Sequence, residues 1–198
     1  MSYNYKLTDL KYRMNGLVPK NICDSFINLY KDNESIGTPE LSFKYKDLAH
    51  KQDNFNSINL SELSLFDDRF KKPLEIAETY IGIVISNYVF HIQKEICPTF
   101  NNVHIQKTNN IRILRYNVGE CIEDHSDIDG HIRGSCTLNL NEDYEGGEFR
   151  FFDGQIKEVF KTGDAMLFPA EPIWIHGTEP ITKGTRYSIN CFLHSIYT

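Results

Sequence analysis

The sequence predicts an α+β fold, mainly β: a double-stranded β-helix, or jelly roll, with supporting N-terminal helices. Three observations carry that expectation. Apolar spacing is helical from residue 18 to about 96 and becomes strand-like after 103. Turn signals then recur at short intervals, at Gly130, Gly134, Gly146-Gly147, Asp153-Gly154, Gly163-Asp164 and Lys183-Gly184. At 198 residues the chain fits one domain, with a helical support and loop region over 1–100 and the jelly-roll core over 103–198.

The first helix is expected from 17 to about 30. Pro19 suits a first turn, and Ile22, Phe26, Leu29 and Tyr30 share a face. Residues 32–64 are rich in Asn, Ser and Asp without a clean period. They read as a long connection with one short strand at 41–45, and such loops in compact domains are more often functional. Leu74, Ala77, Ile81, Ile85, Tyr88 and Ile92 recur at three and four. They predict a long amphipathic helix over 65–96, with a break near Pro73, backing a sheet. Strands are expected at 103–108, 111–117, 135–140, 149–152, 158–160, 165–169, 173–176 and 186–194. Short strands at this spacing predict a double-sheet jelly roll.

Composition narrows the function classes. Net charge is −6, without the basic stripe that nucleic-acid binding needs, which argues against that class. The longest apolar run, near 81–85, is too short to cross a bilayer, so no membrane partner is expected. The N-terminus lacks the apolar core of a secretory signal, and five scattered cysteines form no C-x-x-C pair. A reducing cytoplasmic setting is the expectation. Oligomeric state leaves no trace in the sequence.

The chemistry concentrates in the last third. In a strand, residues i and i+2 face the same side, so His125 and Asp127 would project together and Ser126 away. A third ligand must come from a distant strand, and His176 ends the expected strand at 173–176. Two imidazoles and a carboxylate hold non-haem Fe(II) on one face and leave positions open. The competing view makes 123–129 a solvated acidic loop in which His125 falls by chance. His131 is the main rival ligand, but Gly130 and Gly134 put it in a loop.

Zinc would accept the same set, yet it has no evident use for Arg186, ten residues beyond His176. Arg186, Ser188 and Asn190 share the polar face of the last strand, opposite Tyr187, Ile189, Cys191 and Leu193. Arg186 and Ser188 could clamp the distal carboxylate of 2-oxoglutarate, since a guanidinium matches a carboxylate in charge and geometry. Tyr116 either adds a hydroxyl to that pocket or is a core aromatic. Trp174 reads first as core packing.

These residues also carry a resemblance. Arg115-Tyr116-Asn117-Val118-Gly119, His125-Ser126-Asp127, Leu138-Asn139-Leu140-Asn141, Tyr144-Glu145-Gly146-Gly147-Glu148-Phe149, Gly163-Asp164-Ala165, His176-Gly177 and Gly184-Thr185-Arg186-Tyr187 appear in order over about 111–194. In wording and spacing they resemble the prolyl 4-hydroxylase/lysyl hydroxylase group of 2-oxoglutarate oxygenases. The resemblance implies Fe(II) at His125, Asp127 and His176, and 2-oxoglutarate reaching from the metal to Arg186. It further implies O₂ as oxidant, succinate and CO₂ as co-products, and ascorbate as a supporting reductant. Collagen-type prolyl 4-hydroxylases usually have lysine where Arg186 stands, while lysyl and oxygen-sensing prolyl hydroxylases have arginine. The wording of Asp143-Tyr144-Glu145-Gly146-Gly147 and Lys183-Gly184-Thr185-Arg186-Tyr187 leans toward the lysyl branch, and Asn139 stands where some relatives have tyrosine. The expected partner is a peptide or protein whose prolyl or lysyl side chain is hydroxylated, with 32–64 folding over it. The alternatives are an oxygenase acting on a small molecule or nucleic acid, and a non-catalytic, metal-binding cupin-like jelly roll.

Overall fold

The structure, a computed structural model, describes residues 5–43, 50–127 and 130–195. In chain order the elements are β1 (Tyr12–Met14), α1 (Lys20–Asp32), β2 (Thr38–Phe43), β3 (His50–Asn59), α2 (Leu60–Leu63), α3 (Lys71–Glu95), β4 (Lys107–Tyr116), β5 (Ile132–Asn139), β6 (Glu145–Gly146), β7 (Phe149–Phe151), β8 (Ile156–Glu158), β9 (Ala165–Pro169), β10 (His176–Thr178), β11 (Ile181–Lys183) and β12 (Arg186–His194). A seven-stranded sheet runs β1-β9-β5-β12-β4-β3-β2. Opposite it lie a three-stranded sheet, β10-β7-β8, and the pair β11-β6. This is the expected jelly roll with helical support.

The central strands of the large sheet are buried on both faces, and their sequences say which face is which. On β12 the odd residues Tyr187, Ile189, Cys191 and Leu193 join the core beneath the helices, together with Cys136 and Leu138 of β5. Ala77, Ile81, Val84, Ile85, Tyr88 and Ile92 of α3 cover that face, one stripe of a 25-residue helix. On β9, Ala165 and Leu167 face the helices, while Met166 and Phe168 face the smaller sheet and meet Phe149, Phe151 and Trp174. Strict period-2 alternation thus lets one strand serve two cores. Trp174 is 1% exposed within this aromatic cluster, as core packing requires.

Gly163 locks the helical layer to the sheets. The Val18 N–H donates to its carbonyl at 3.0 Å, and its φ of +82° together with the Val18 carbonyl leaves no room for a Cβ. The contact fixes where α1 begins.

Several expectations are corrected. Residues 32–64 are mostly ordered structure, not a long connection: β2 and β3 form a hairpin that extends the large sheet through β4. Of the expected strand at 41–45, residues 44 and 45 lie outside the described residues. The hairpin was hidden because few apolar side chains mark it; Phe55 and Ile58 are buried, while ion pairs hold the rest. Arg112 meets Glu40 at 2.6 Å and Arg115 meets Glu34 at 2.5 Å.

Pro73 does not break a helix. It occupies the first turn of α3, where its missing N–H has no intrahelical acceptor. Asn102–His104 is a 3-10 turn, and β4 is one strand in which Asn110 takes φ 56°. Glu171-Pro172 starts a turn closed by Trp174 N–H to Glu171 O at 2.8 Å, so β10 begins at His176 instead of ending there. Finally, β1, β6 and β11 are too short for a periodic signal.

Candidate metal centre and anion pocket

His125 and Asp127 do not sit on a regular strand. The stretch runs extended beside β10, and His125 makes an isolated antiparallel bridge to His176, with both N–H···O bonds at 2.9 Å. That pairing brings the two imidazoles to 4.4 Å between centroids, tilted by 49°, and aims them at one point. His125, Asp127 and His176 offer ligand atoms that all lie within 4.8 Å of one another. The His125 Nε2 is 3.2 Å from Asp127 Oδ1, and the His176 Nε2 is 3.3 Å from Asp127 Oδ2.

The donor set fits a cation. Each imidazole spends Nδ1 on a carbonyl: Glu123 O at 2.8 Å for His125 and Trp174 O at 2.9 Å for His176. A carbonyl only accepts, so Nδ1 carries the hydrogen and a neutral ring presents a lone pair at Nε2. Two lone pairs then face two carboxylate oxygens, an arrangement that needs positive charge between them. Where the rings are protonated instead, burial still works against the charge on Asp127, and His176 and His125 hold its carboxyl well below the usual carboxylate range. Ser135 of β5 donates its hydroxyl to the same carboxylate, fixing its orientation. Phe149 stacks on His176 at 5.5 Å and 9°, and Phe168 meets it edge-on at 4.7 Å, which excludes water from one side.

Two further groups hold the ligand segments together. Arg150 donates through Nε to Asp124 Oδ1 and through Nη1 to the Thr178 carbonyl, both at 2.8 Å. It therefore bridges the segment carrying His125 to the strand carrying His176. Gly177 lets the two approach: a Cβ there would meet Asp124 Oδ1 at 2.8 Å and Ile122 O at 2.9 Å.

Arg186 is 2% exposed on the inner face of β12. Its Nε donates to Asn139 Oδ1 at 3.2 Å, and its guanidinium lies 5.4 Å from the Tyr116 ring centroid. Among the described residues no carboxylate pairs with it. A buried guanidinium without a counter-charge is costly, and an anionic ligand would complete it. Tyr116 pairs with Arg186 across the strands and stacks on Phe55 at 4.5 Å, so it is both core aromatic and pocket wall. The Ser188 hydroxyl donates to Asn190 Oδ1 at 3.2 Å, and no hydrogen bond joins it to Arg186 among the described residues.

A polar file joins the two groups. Ser135, Thr137 and Asn139 alternate along β5 and touch, in turn, Asp127, Asn190 and Arg186. Of the three, only Asn139 was singled out in the sequence, although Ser-Cys-Thr-Leu-Asn-Leu alternates polar with apolar and carried the signal for the others. Tyr144, whose hydroxyl donates to Asn139 Oδ1 at 3.3 Å, had no such mark. His131 is exposed and stands outside the cluster.

A jelly roll with two imidazoles, a carboxylate and a buried arginine on its inner face has the layout of a metal-dependent, anion-binding β-helix protein. Residues 111–194 match the family model of the 2OG-Fe(II) oxygenase superfamily, a little over two fifths of the chain. A PKHD-type hydroxylase of Janthinobacterium sp. (strain Marseille) is 35% identical over 98 residues, 41% of this chain and 42% of that protein. One from Synechococcus sp. (strain JA-2-3B'a(2-13)) is 29% identical over 100 residues, 44% of each chain. The matched stretch thus spans less than half the length of either relative. Among solved structures, a Trichoplax adhaerens prolyl hydroxylase in complex with a hypoxia inducible factor peptide fragment is similar at TM-score 0.68. That likeness has 12% identity and covers 95% of this chain and 84% of that one. A Pseudomonas putida prolyl-4-hydroxylase is similar at TM-score 0.63, with 15% identity and 96% of each chain covered. At these identities the two structures speak for the fold.

Proposed function

We propose that the protein is an Fe(II)- and 2-oxoglutarate-dependent dioxygenase that hydroxylates a prolyl or lysyl side chain in a peptide or protein. The observation that carries this reading is the His125–Asp127–His176 cluster, with both Nε2 atoms and both carboxylate oxygens converging. The family match over 111–194 and the hydroxylase relatives support it. In this reading residues 1–198 act as one catalytic unit.

The three side chains hold the metal on one face and leave the other for ligands. Fe(II) bound there supplies the chemistry by which O₂ places one oxygen atom in a substrate C–H bond and the other in succinate, with release of CO₂ from 2-oxoglutarate. Everything else falls to the protein's own groups. The Arg186 guanidinium receives the distal carboxylate of 2-oxoglutarate, and its buried, permanently charged fork fixes the co-substrate's direction. Asn139 holds the guanidinium through Nε, while Tyr116 walls the pocket and Ser188 lines it. Phe149 and Phe168 keep water from the His176 side, and Ser135 keeps the Asp127 carboxylate turned toward the imidazoles.

The test is succinate release from 2-oxoglutarate, with Fe(II), ascorbate and candidate peptides, in wild type, Asp127→Ala and Arg186→Ala. Asp127→Ala should lose metal binding and turnover. Arg186→Ala should keep its metal and need at least about tenfold more 2-oxoglutarate, in line with loss of one buried charge-assisted contact. Equal turnover in all three proteins would remove the proposal.

A further inference from the structure

The inner face of the large sheet is closed at one end and open at the other. Along β12 the residues on that face run Arg186, Ser188, Asn190, Phe192 and His194; the first two are buried and the last three are partly exposed. Ser135, which holds Asp127, lies directly opposite Phe192. The metal cluster therefore stands beside the open half, with Arg186 behind it on the closed side. Phe192 and His194 stand on the open side of the cluster, away from the Arg186 pocket.

A cavity of about 410 Å³ occupies that open end, with Phe192 and His194 in its wall. Its volume falls within the range of substrate pockets. It owes its shape to a bulge: Asn110 at φ 56° adds a residue to β4 where β12 advances from Asn190 to Phe192. Asn109 and Asn110 line the cavity together with Asn59 and Glu62. The Asn59 amide is spent, donating to Asn110 Oδ1 at 2.8 Å and accepting from the Glu62 N–H at 3.2 Å. Among the described residues this leaves the Asn110 NH₂ and the whole Asn109 amide without hydrogen-bond partners.

Unspent amides offer a donor and an acceptor side by side, which is what an extended peptide backbone presents in return. Among the described residues no Lys or Arg lines the cavity, which leaves it without the counter-charge that nucleic-acid phosphates require. Its one carboxylate, Glu62, would instead receive a cation. We infer that this cavity is a recognition subsite for extended peptide next to the reacting residue, read by Asn109 and Asn110, with Glu62 taking a basic side chain. The inference rests on the oxygenase reading above.

The experiment uses two matched pools of short synthetic peptides with a central proline or lysine, flanked by arginine in one pool and by glutamate in the other. Succinate release and the mass gain of one oxygen are read with Fe(II), ascorbate and 2-oxoglutarate. Wild type should favour the arginine pool by about threefold, the scale of a part-exposed ion pair. Glu62→Lys should invert that preference, a ratio that serves as its own control for folding and metal content. Asn109→Trp, which fills the cavity, should raise the KM for the preferred peptides by about tenfold. An unchanged pool preference in Glu62→Lys, an unchanged KM in Asn109→Trp, or a preference of wild type for single-stranded oligonucleotides would overturn the subsite. Absence of succinate with every substrate would instead overturn the oxygenase reading itself.

Discussion

Ser135 shows how much of the candidate centre depends on a residue that would never touch the metal. Its hydroxyl is buried and aimed at the Asp127 carboxylate, which also faces both imidazoles. Ser135→Ala should weaken Mn(II) binding by about 10–100-fold, the usual effect of losing a group that orients a ligand. Titration followed by calorimetry checks this, and an affinity equal to wild type would mean the carboxylate is held by its neighbours alone. The three clustered residues were legible in the sequence as candidates, because metal-binding side chains are rare types in a rare spacing. Their helpers were not. Serine, asparagine and glycine are common, and only the folded register reveals that Ser135 faces Asp127 or that Gly177 faces Asp124.

Among the elements, the pairing of β10 with the segment around His125 decides whether the two imidazoles meet. That pairing relies on a backbone approach which a single methyl group would block. Gly177→Ala should lower stability by about 1–3 kcal/mol and weaken Mn(II) binding as well, since the strain falls between the ligands. Thermal unfolding and metal titration of the same variant check both effects. A stability loss with full metal affinity would show that the segment relaxes away from the ligands. Element by element, the sequence was readable where burial imposed a period. The stripe of α3 and the two faces of β12 were visible because apolar residues repeat at helical and strand spacing. The β2–β3 hairpin was not, because charged pairs such as Arg112–Glu40 hold an edge as well as apolar contacts do and leave no period.

For the molecule as a whole, the helical layer sets a limit on alkaline stability. Burial pushes the Cys23 thiol up from 9.0 to about 11 and the Tyr30 hydroxyl up from 10.0 to about 12. Both groups hold their protons more tightly folded than unfolded. Their stabilisation is therefore complete below about pH 9 and is lost as pH rises through 11 and 12. The melting temperature should fall steadily from pH 9 upward, and Cys23→Ala should flatten the first part of that fall. A curve for Cys23→Ala parallel to wild type would place the loss elsewhere.

The two-sided use of β12 has a genetic consequence. Tyr187, Ile189, Cys191 and Leu193 anchor the helices, while Arg186, Ser188, Asn190 and Phe192 look toward the opposite sheet. Inserting or deleting one codon within this strand would exchange the two sets, sending a guanidinium into the hydrocarbon layer and leucine into the pocket. Length variation among descendants of this gene is therefore expected to spare this strand and to accumulate at the exposed edges.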